Sequence, residues 1–377
     1  GSAEGVERQL IESERRFRDA EWLLLPQPVS ELARRWRERL RGSLGLGLSP
    51  SYHLLTFGLL GADDPAGLLA AEATLAARWK PAVGRVAPPF SVSAKLRQRE
   101  VFAGPPPARL RARTSAIWGY VDGFTDAGLE LAELFGETSL FQERLLLRYG
   151  QMSSDDLLDD HRLRGAKRFF LSQALSSSPA VGFPGSGLGL IGRWEGARGW
   201  DLTLAASNIA SSNLDERADW RLNPELFAAL QVGWDIAHAS DRIVRLQLLL
   251  WNADAVPSLD LAGGRGASLT LDCELDDEIT LMARYAWSDD AAAAASHLVA
   301  AAAAWRPARA GGALLGAGLA SGRASAAGGG WQHLAEVFAG VSIRELHIKA
   351  SLQLNQGAQL SGSGWILAGG LSAGLRF

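Results

Sequence analysis

The amino-acid sequence predicts an all-β fold: a closed antiparallel transmembrane β-barrel of about 16 strands (18 possible) with a short helical N-terminal extension. Three observations support this prediction. Apolar and polar residues alternate in many separate windows of the 377-residue chain. No run of about 18 apolar residues exists that could form a membrane-spanning helix. The chain ends on an aromatic residue, Phe377, at the tip of its most regular alternating segment.

That last segment, 365–377, shows the pattern most clearly. Alternate residues of a strand point to opposite faces of the sheet. One face is apolar and has an aromatic residue at each end: Trp365, Leu367, Gly369, Leu371, Ala373, Leu375 and Phe377. The other face carries the polar groups, and Arg376 is its only charge. A strand with lipid on one side and water on the other is expected to show this arrangement.

The same alternation predicts about 17 strands, each near the ~9–11 residues that a tilted strand needs to cross a bilayer. The predicted windows are 44–57, 69–79, 90–99, 111–121, 127–135, 142–150, 186–194, 199–207, 226–235, 242–251, 267–274, 279–287, 297–306, 313–320, 333–343, 345–355 and 365–377. Bacterial barrels have even strand numbers, so we expect one window to be wrong.

Composition and motifs argue against several other classes. A net charge of −3 is too small to indicate nucleic-acid binding. The single Cys273 allows no internal disulfide, and the six histidines show no metal-ligand spacing. The G-x-S-x-G pattern at 370–374 lies inside a predicted strand, whereas a nucleophile elbow needs a strand, a turn and a helix. We therefore expect no enzyme activity and no cofactor.

Residues 1–42 differ from the rest and are predicted to form a helical periplasmic extension, ahead of an outer-membrane barrel at 43–377. Gly1 and Ser2 resemble a cloning remnant. The following residues have helical spacing and many Arg and Glu side chains, with a break at Pro26 and Pro28. The extension is either a short solvated segment or an element that plugs the barrel or contacts a periplasmic partner.

The longest predicted connection, 151–185, is a candidate constriction loop, because connections of this length are commonly functional. Acidic residues come first and basic residues follow: Asp155, Asp156, Asp159, Asp160, Arg162, Arg164, Lys167 and Arg168. Folded into the barrel, the loop would narrow a pore; the alternative is an external loop with solvated charges. A calcium ion at 155–160 is disfavoured, because the spacing and the glycine of an EF-hand are missing.

Inward-facing positions of the predicted strands supply further candidates for pore lining. Together with Asp155, Asp156, Arg162, Arg164, Lys167 and Arg168 they are Glu72, Arg97, Arg99, Arg113, Arg148 and Arg193. Guanidinium groups donate hydrogen bonds in a rigid fork and can hold sugar hydroxyls or set the charge of a pore. The sequence therefore predicts a water-filled, Arg-rich lumen.

Several stretches resemble the carbohydrate-selective porin (OprB-type) family of Gram-negative outer membranes. They are LLLRYGQMSSDD at 145–156, FFLSQALSSSPAVGFPG at 169–185, VPSLDLAGGRGASLTLDCEL at 256–275, ITLMARYAWSDDAAAA at 279–294 and the terminal strand. The resemblance implies a barrel that passes sugars and small polar solutes passively. It also implies an outer-membrane location, contact with outer-membrane lipid, and an aromatic C-terminus read by the assembly machinery.

Two matters stay open from the sequence. The first is the oligomeric state, which is either a monomer or a trimer. The alternative function is an export or secretion barrel, or a conduit that docks a periplasmic partner through the N-terminal helices.

Overall fold

The computed structural model describes residues 27–60, 66–81, 90–209, 220, 224–237, 243–259, 261–289, 292–308, 311–325, 329–343, 345–357 and 364–376. Most of the predicted N-terminal extension and the terminal Phe377 therefore lie outside the described residues. The described end of the extension forms one helix, α1, at Gln27–Leu44. This helix leads directly into the first strand, and the indole nitrogen of Trp79 donates to the carbonyl of Leu44 at 3.1 Å.

Sixteen strands follow and close into one barrel. They are β1 Leu46–Leu59, β2 Ala66–Trp79, β3 Phe90–Ala103, β4 Gly128–Leu140, β5 Leu145–Met152, β6 Gly187–Glu195, β7 Trp200–Asn208, β8 Leu226–Ala237, β9 Ile243–Ala253, β10 Gly264–Glu274, β11 Ile279–Ser288, β12 Ala295–Trp305, β13 Ala313–Ala324, β14 Trp331–Ile343, β15 Leu346–Gly357 and β16 Trp365–Arg376. Each pairs antiparallel with its neighbours, and β16 pairs with β1. The predicted fold class is confirmed.

Sixteen of the predicted windows coincide with strands, and the window at 111–121 is wrong. A run of three prolines precedes this window, and the last of them, Pro107, opens a helix, α2, at Pro107–Thr114. Proline suits the first turn of a helix because its fixed φ and missing N–H cost nothing there. The left-handed Ser115, with φ 55°, ends the helix. The only other α-helix in the described residues is the short α3, Gln173–Ser176.

The two ends of the barrel differ. Turns of four residues, such as 141–144, 196–199 and 275–278, join strands at the end that also receives α1; we call this the short-turn end. The opposite, long-loop end carries two long connections, 104–127 and 153–186. Both fold back into the interior, where their apolar side chains pack on the inner faces of the strands. In bacterial barrels of this class, short turns face the periplasm and longer loops face outward.

The outward face of the strands is apolar and has aromatic residues near both ends. Exposed tryptophans lie at the short-turn end on β2, β6, β7 and β12, and at the long-loop end on β14 and β16: Trp79, Trp194, Trp200, Trp305, Trp331 and Trp365. Such bands mark the two membrane–water interfaces of a transmembrane barrel. Among the described helices, none has the length and apolar character to cross a membrane.

Candidate functional site

The inner faces of β2 to β5 form a charged wall. A bulge in β4 shapes it: Lys95 of β3 pairs with Glu133, but the next residue, Leu96, pairs with Leu131. The extra residue, Ala132, interrupts the alternation, as bulges do. Glu130 and Glu133, an odd number of positions apart, therefore both point inward and contact basic side chains of β3.

These two glutamates form ion pairs with the three basic residues that β3 turns inward. The Lys95 ammonium lies 2.7 Å from the Glu133 carboxylate. Glu130 accepts from both Arg97, at 3.1 Å, and Arg99, at 2.7 Å. The Arg99 side chain is fully buried, so its partner is needed to offset the cost of desolvating the charge.

A third glutamate of the same strand continues the wall toward the short-turn end. Glu137 accepts from Arg78 of β2 at 2.6 Å and from Arg148 of β5 at 3.0 Å. Arg148 also lies with its guanidinium carbon 4.4 Å from the centre of the Phe135 ring. Basic side chains of three strands thus meet carboxylates of one strand, and the wall alternates in charge along its length.

The connection 153–186 lies inside the barrel and faces this wall. Lys167 forms an ion pair with Glu72 of β2, and Arg164 pairs with Asp155 within the connection itself. Asp156 comes within 3.9 Å of Arg148. The charged residues of the connection are therefore paired partly with each other and partly with the wall.

Other residues of the connection 153–186 contact β10 and β11, which form the barrel wall opposite the charged wall. The Arg162 guanidinium binds Asp272 of β10 at 2.6 Å, and Asp159 lies 3.0 Å from Arg284 of β11. Charge-assisted hydrogen bonds of this kind are about twice as strong as neutral ones. These two pairs hold the first half of the connection across the lumen.

The second half is fixed by a buried carboxylate. Glu336 of β14 accepts hydrogen bonds from the backbone N–H groups of Leu171, at 2.6 Å, and Ser172, at 3.0 Å. The Lys349 ammonium of β15 donates to two backbone carbonyls of the same connection, those of Ala166 and Phe169. Buried polar groups of the barrel thus satisfy backbone groups that strand pairing cannot reach.

The connection 104–127 also lies inside the barrel, where it contacts the inner faces of β14 and β15. The N–H of Ile117 donates to Gln332 of β14 at 3.0 Å, and the indole N–H of Trp118 donates to Asn355 of β15 at 3.0 Å. The N–H of Asp122 donates to the carbonyl of Leu171 at 2.8 Å, which joins the two in-folded connections. They form one packed body against β11–β16 and β1.

Between this body and the charged wall remains a cavity of about 310 Å³, which we call the constriction. Its ionisable lining residues are Glu72, Lys95, Arg97, Asp122, Glu133, Asp155, Asp156, Arg164, Lys167 and Arg168. Five are acidic and five are basic. Gln173, Ser177 and Ser178 add uncharged hydrogen-bonding groups. The constriction is therefore densely polar but balanced in charge.

Enclosure in the barrel perturbs the acids contributed by the connections. Desolvation inside the barrel, assisted by the neighbouring Glu133, raises the pKa of Asp156 to about 6, although the side chain faces the lumen and Lys95 and Arg148 oppose the shift. Burial also raises the pKa of Asp122, against a hydrogen bond from Ser176 at 2.5 Å. Asp156 can thus change its charge within the range from pH 5 to pH 7.

The structure brings seven of the twelve residues predicted to line the pore to the constriction and places five elsewhere. The seven are Glu72, Arg97, Asp155, Asp156, Arg164, Lys167 and Arg168. Arg99 and Arg148 belong to the charged wall beside it. Arg162 belongs to the connection and contacts Asp272 on the opposite wall. Arg113 is on the exposed side of α2 rather than on a strand, because the window that contained it is helical.

The last of the predicted residues, Arg193 of β6, points inward outside the constriction. It lies 3.5 Å from Asp201 of β7, which also accepts from Arg245 of β9 at 2.6 Å. This separate cluster is near the short-turn end.

Three important residues escaped the sequence prediction: Asp122, Glu130 and Glu133. Asp122 directly follows the window 111–121, for which the sequence predicts a strand. The two glutamates are an odd number of positions apart, and strict alternation places only one of such a pair inward. One sequence signal points to the two glutamates: β3 has a run of basic residues, and basic groups buried inside a barrel require carboxylates nearby.

The acidic residues of 155–160 do not converge on a common point. Asp155 pairs with Arg164, and Asp159 pairs with Arg284. Across the described part of the chain, no group of three or more His, Cys, Asp or Glu side chains has the arrangement of a metal site.

Comparison with known proteins supports the fold. No protein-family model matches the sequence, and no curated protein matches it. The high-pH structure of Pseudomonas putida OprB matches with a TM-score of 0.74 at 13% identity, covering 91% of this chain and 96% of that chain. Its low-pH structure matches with a TM-score of 0.61 at 10% identity, covering 91% and 95%.

A mutant of Rh. blastica porin matches with a TM-score of 0.55 at 13% identity, covering 88% of this chain and 100% of that chain. The resemblance to OprB-type porins predicted from the sequence is confirmed at the level of the fold. Identities this low show the shared architecture and leave the solute to be argued from the residues.

Proposed function

We propose that this chain is an outer-membrane channel of the porin kind, not an enzyme, through which carbohydrates and related small polar solutes diffuse passively. The observation that carries the proposal is the constriction: a polar cavity of about 310 Å³ inside a closed barrel, bounded by a charged wall and by in-folded connections. A barrel with an apolar outer face and such an interior suits a membrane pore.

The charge balance of the constriction favours uncharged solutes. Equal numbers of acidic and basic residues give little net field, so neither cations nor anions are strongly preferred. The side chains of Lys95, Arg97 and Glu133 are fixed by ion pairs and present donors and acceptors at set positions. A sugar can exchange water for these groups, and weak binding lets it leave again. The sequence resemblance to carbohydrate-selective porins points the same way.

The proposed location is the outer membrane of a Gram-negative bacterium, with the long-loop end outside and α1 in the periplasm. The aromatic bands and the short turns support this orientation. The surrounding partners are then outer-membrane lipid and, during folding, the assembly machinery. The oligomeric state, a monomer or a trimer, stays a prediction.

The alternative, an export or secretion conduit, requires a large rearrangement of the barrel interior. A polypeptide passing through would have to displace both in-folded connections. Glu336, Lys349 and Asp272 hold the connection 153–186, and Gln332 and Asn355 hold the connection 104–127. We therefore favour a channel for small solutes.

Swelling of liposomes that contain the folded protein tests the proposal. We expect swelling in isotonic solutions of neutral mono- and disaccharides, at rates that fall with solute size. A Lys95→Gln, Arg97→Gln variant should change the relative rates, because it removes donors from the constriction. Arg193→Gln removes an inward arginine outside the constriction and is the matched control. Liposomes with correctly folded protein that swell in none of these sugars would contradict the proposed function.

A further inference from the structure

The outward face of β11–β14 carries a basic group at the long-loop end. Trp287, His297, Arg323 and Trp331 are direct cross-strand neighbours in one row. In the next row, His333 lies opposite Ser321. We call His297, Arg323 and His333, with the aromatic residues Tyr285, Trp287 and Trp331, the basic rim. The rest of the outward face of these strands is apolar or alanine-rich.

The two imidazoles are oriented by their neighbours. Nδ1 of His297 is 3.1 Å from the Tyr285 hydroxyl, and the His297 ring stacks on Trp331 with centroids 6.5 Å apart. Nδ1 of His333 is 2.8 Å from the Ser321 hydroxyl. Each Nδ1 therefore has a partner, and Nε2 is the ring atom that each histidine can offer to a ligand.

Arg323 distinguishes this group from the other basic residues of the barrel. Its side chain is exposed, and its guanidinium makes no ion pair or hydrogen bond with the residues that the structure describes. Arg265, the other arginine on the outward face of the described strands, has Asp289 at 3.6 Å. An arginine without a carboxylate at a membrane interface is available to an anion.

Charge complementarity decides between lipid and a second copy of the chain as the occupant. Glu100 of β3 is the only acidic side chain that the described strands turn outward, and β3 is far from the basic rim around the barrel. A second copy would have little to offer Arg323. Anionic headgroups, in contrast, gather at this depth, next to the aromatic band.

The dimensions fit a headgroup larger than one phosphate. Four adjacent strands span about 14 Å, from three strand spacings of ~4.8 Å. Toward the membrane centre, the same strands present small outward side chains, Ala283, Ala301, Ala303 and Ala317. Small residues flanked by larger ones such as Leu319 leave a shallow trough that can take an acyl chain.

We propose that the basic rim binds an outer-leaflet lipid whose headgroup is a phosphorylated sugar. The Arg323 guanidinium and the histidine Nε2 atoms hold phosphate, the indole rings pack against the sugar, and an acyl chain lies in the alanine trough. The inference rests on the proposed outer-membrane location, but it does not involve the lumen.

Native mass spectrometry of the folded protein in detergent tests the proposal, with deep-rough lipopolysaccharide as the probe. We expect His297→Gln, Arg323→Gln, His333→Gln to weaken binding by about tenfold or more, the loss of one or two charge-assisted hydrogen bonds. Arg265→Gln, an outward arginine outside the rim, should bind like the parent. Phosphatase-treated lipopolysaccharide should bind the parent as weakly as the intact lipid binds the triple variant.

Three binding results would overturn the proposal: equal binding by parent and triple variant, equal binding of phosphatase-treated and intact lipid, or tighter binding of phosphatidylglycerol than of lipopolysaccharide. Cross-linking of Arg323→Cys between copies in membranes would also overturn it and assign the rim to a subunit interface. Sugar permeation by the triple variant should match the parent. Failure of lipid binding with intact permeation therefore refutes this inference alone, and loss of permeation in the parent refutes the channel.

Discussion

At the scale of single residues, the basic side chains of the charged wall that point into the lumen are paired with carboxylates. The sequence predicts an Arg-rich interior, and the arginines are present, but carboxylates of β4 pair with them. Glu130 forms ion pairs with two arginines, and Glu133 forms an ion pair with Lys95. Burying such charges without partners would cost several kcal/mol each, on the order estimated for isolated ions in proteins. A balanced constriction is thus a consequence of enclosing the basic strand.

Asp156 gives the constriction a pH dependence. Its pKa of about 6 means that it is charged at pH 7.5 and neutral at pH 5. Acidification therefore adds one net positive charge, and we expect the cation-to-anion permeability ratio to fall. A unit charge about 6 Å from a passing ion in water is worth roughly 0.7 kcal/mol, with opposite sign for a cation and an anion, so the ratio should change about tenfold. Reversal potentials under a salt gradient at both pH values measure it.

The Asp156→Asn variant should lack this step and show the low-pH ratio at both pH values. Asp160→Asn, four residues along the same connection and outside the constriction, should keep the step. If Asp156→Asn shows the parental pH dependence, the titrating group lies elsewhere and the constriction is misassigned.

At the scale of elements, the position of the connection 153–186 depends on barrel side chains that reach its backbone. Glu336 is the clearest case, because it satisfies two buried N–H groups and also accepts from Ser351 at 2.7 Å. Without it, those groups would be left unpaired in the interior.

We expect Glu336→Ala to lower the free energy of unfolding by about 2–4 kcal/mol, from leaving two or three buried donors unsatisfied. The loosened connection should also raise the mean conductance and the current noise in planar bilayers. Urea unfolding in detergent and single-channel recording are the measurements. Glu345→Ala, an exposed glutamate beside the turn between β14 and β15, is the control. Unchanged stability and noise in Glu336→Ala would show that other contacts position the connection.

The elements also show how far sequence reasoning reaches. Alternation of period two predicts the strands because lipid and water impose it on every crossing. It fails at Ala132, where a bulge changes the phase, and at 111–121, where proline starts a helix inside the lumen. The residues that build the constriction come from strands and connections far apart in the chain. Only the closed topology brings Glu72, Glu133 and Lys167 together, and no local pattern encodes that proximity.

At the scale of the whole molecule, the barrel separates three surfaces with different chemistry. The outer face is apolar, the constriction is densely polar, and the long-loop end of β11–β14 carries the basic rim. Each surface can be altered without touching the other two, since strands alternate their side chains between the faces. Variants of one surface are therefore controls for the others.

The most direct test of the central claim, a charge-balanced constriction, is the reversal potential across a planar bilayer under a potassium chloride gradient at pH 7.5. The parent should show a permeability ratio near unity. The double variant Lys95→Gln, Lys167→Gln should make the channel cation-selective. The double variant Glu72→Gln, Glu133→Gln should make it anion-selective. Both variants must be folded, which is checked by a change of electrophoretic mobility on heating. A parent channel with strong selectivity that neither double variant changes would contradict the account.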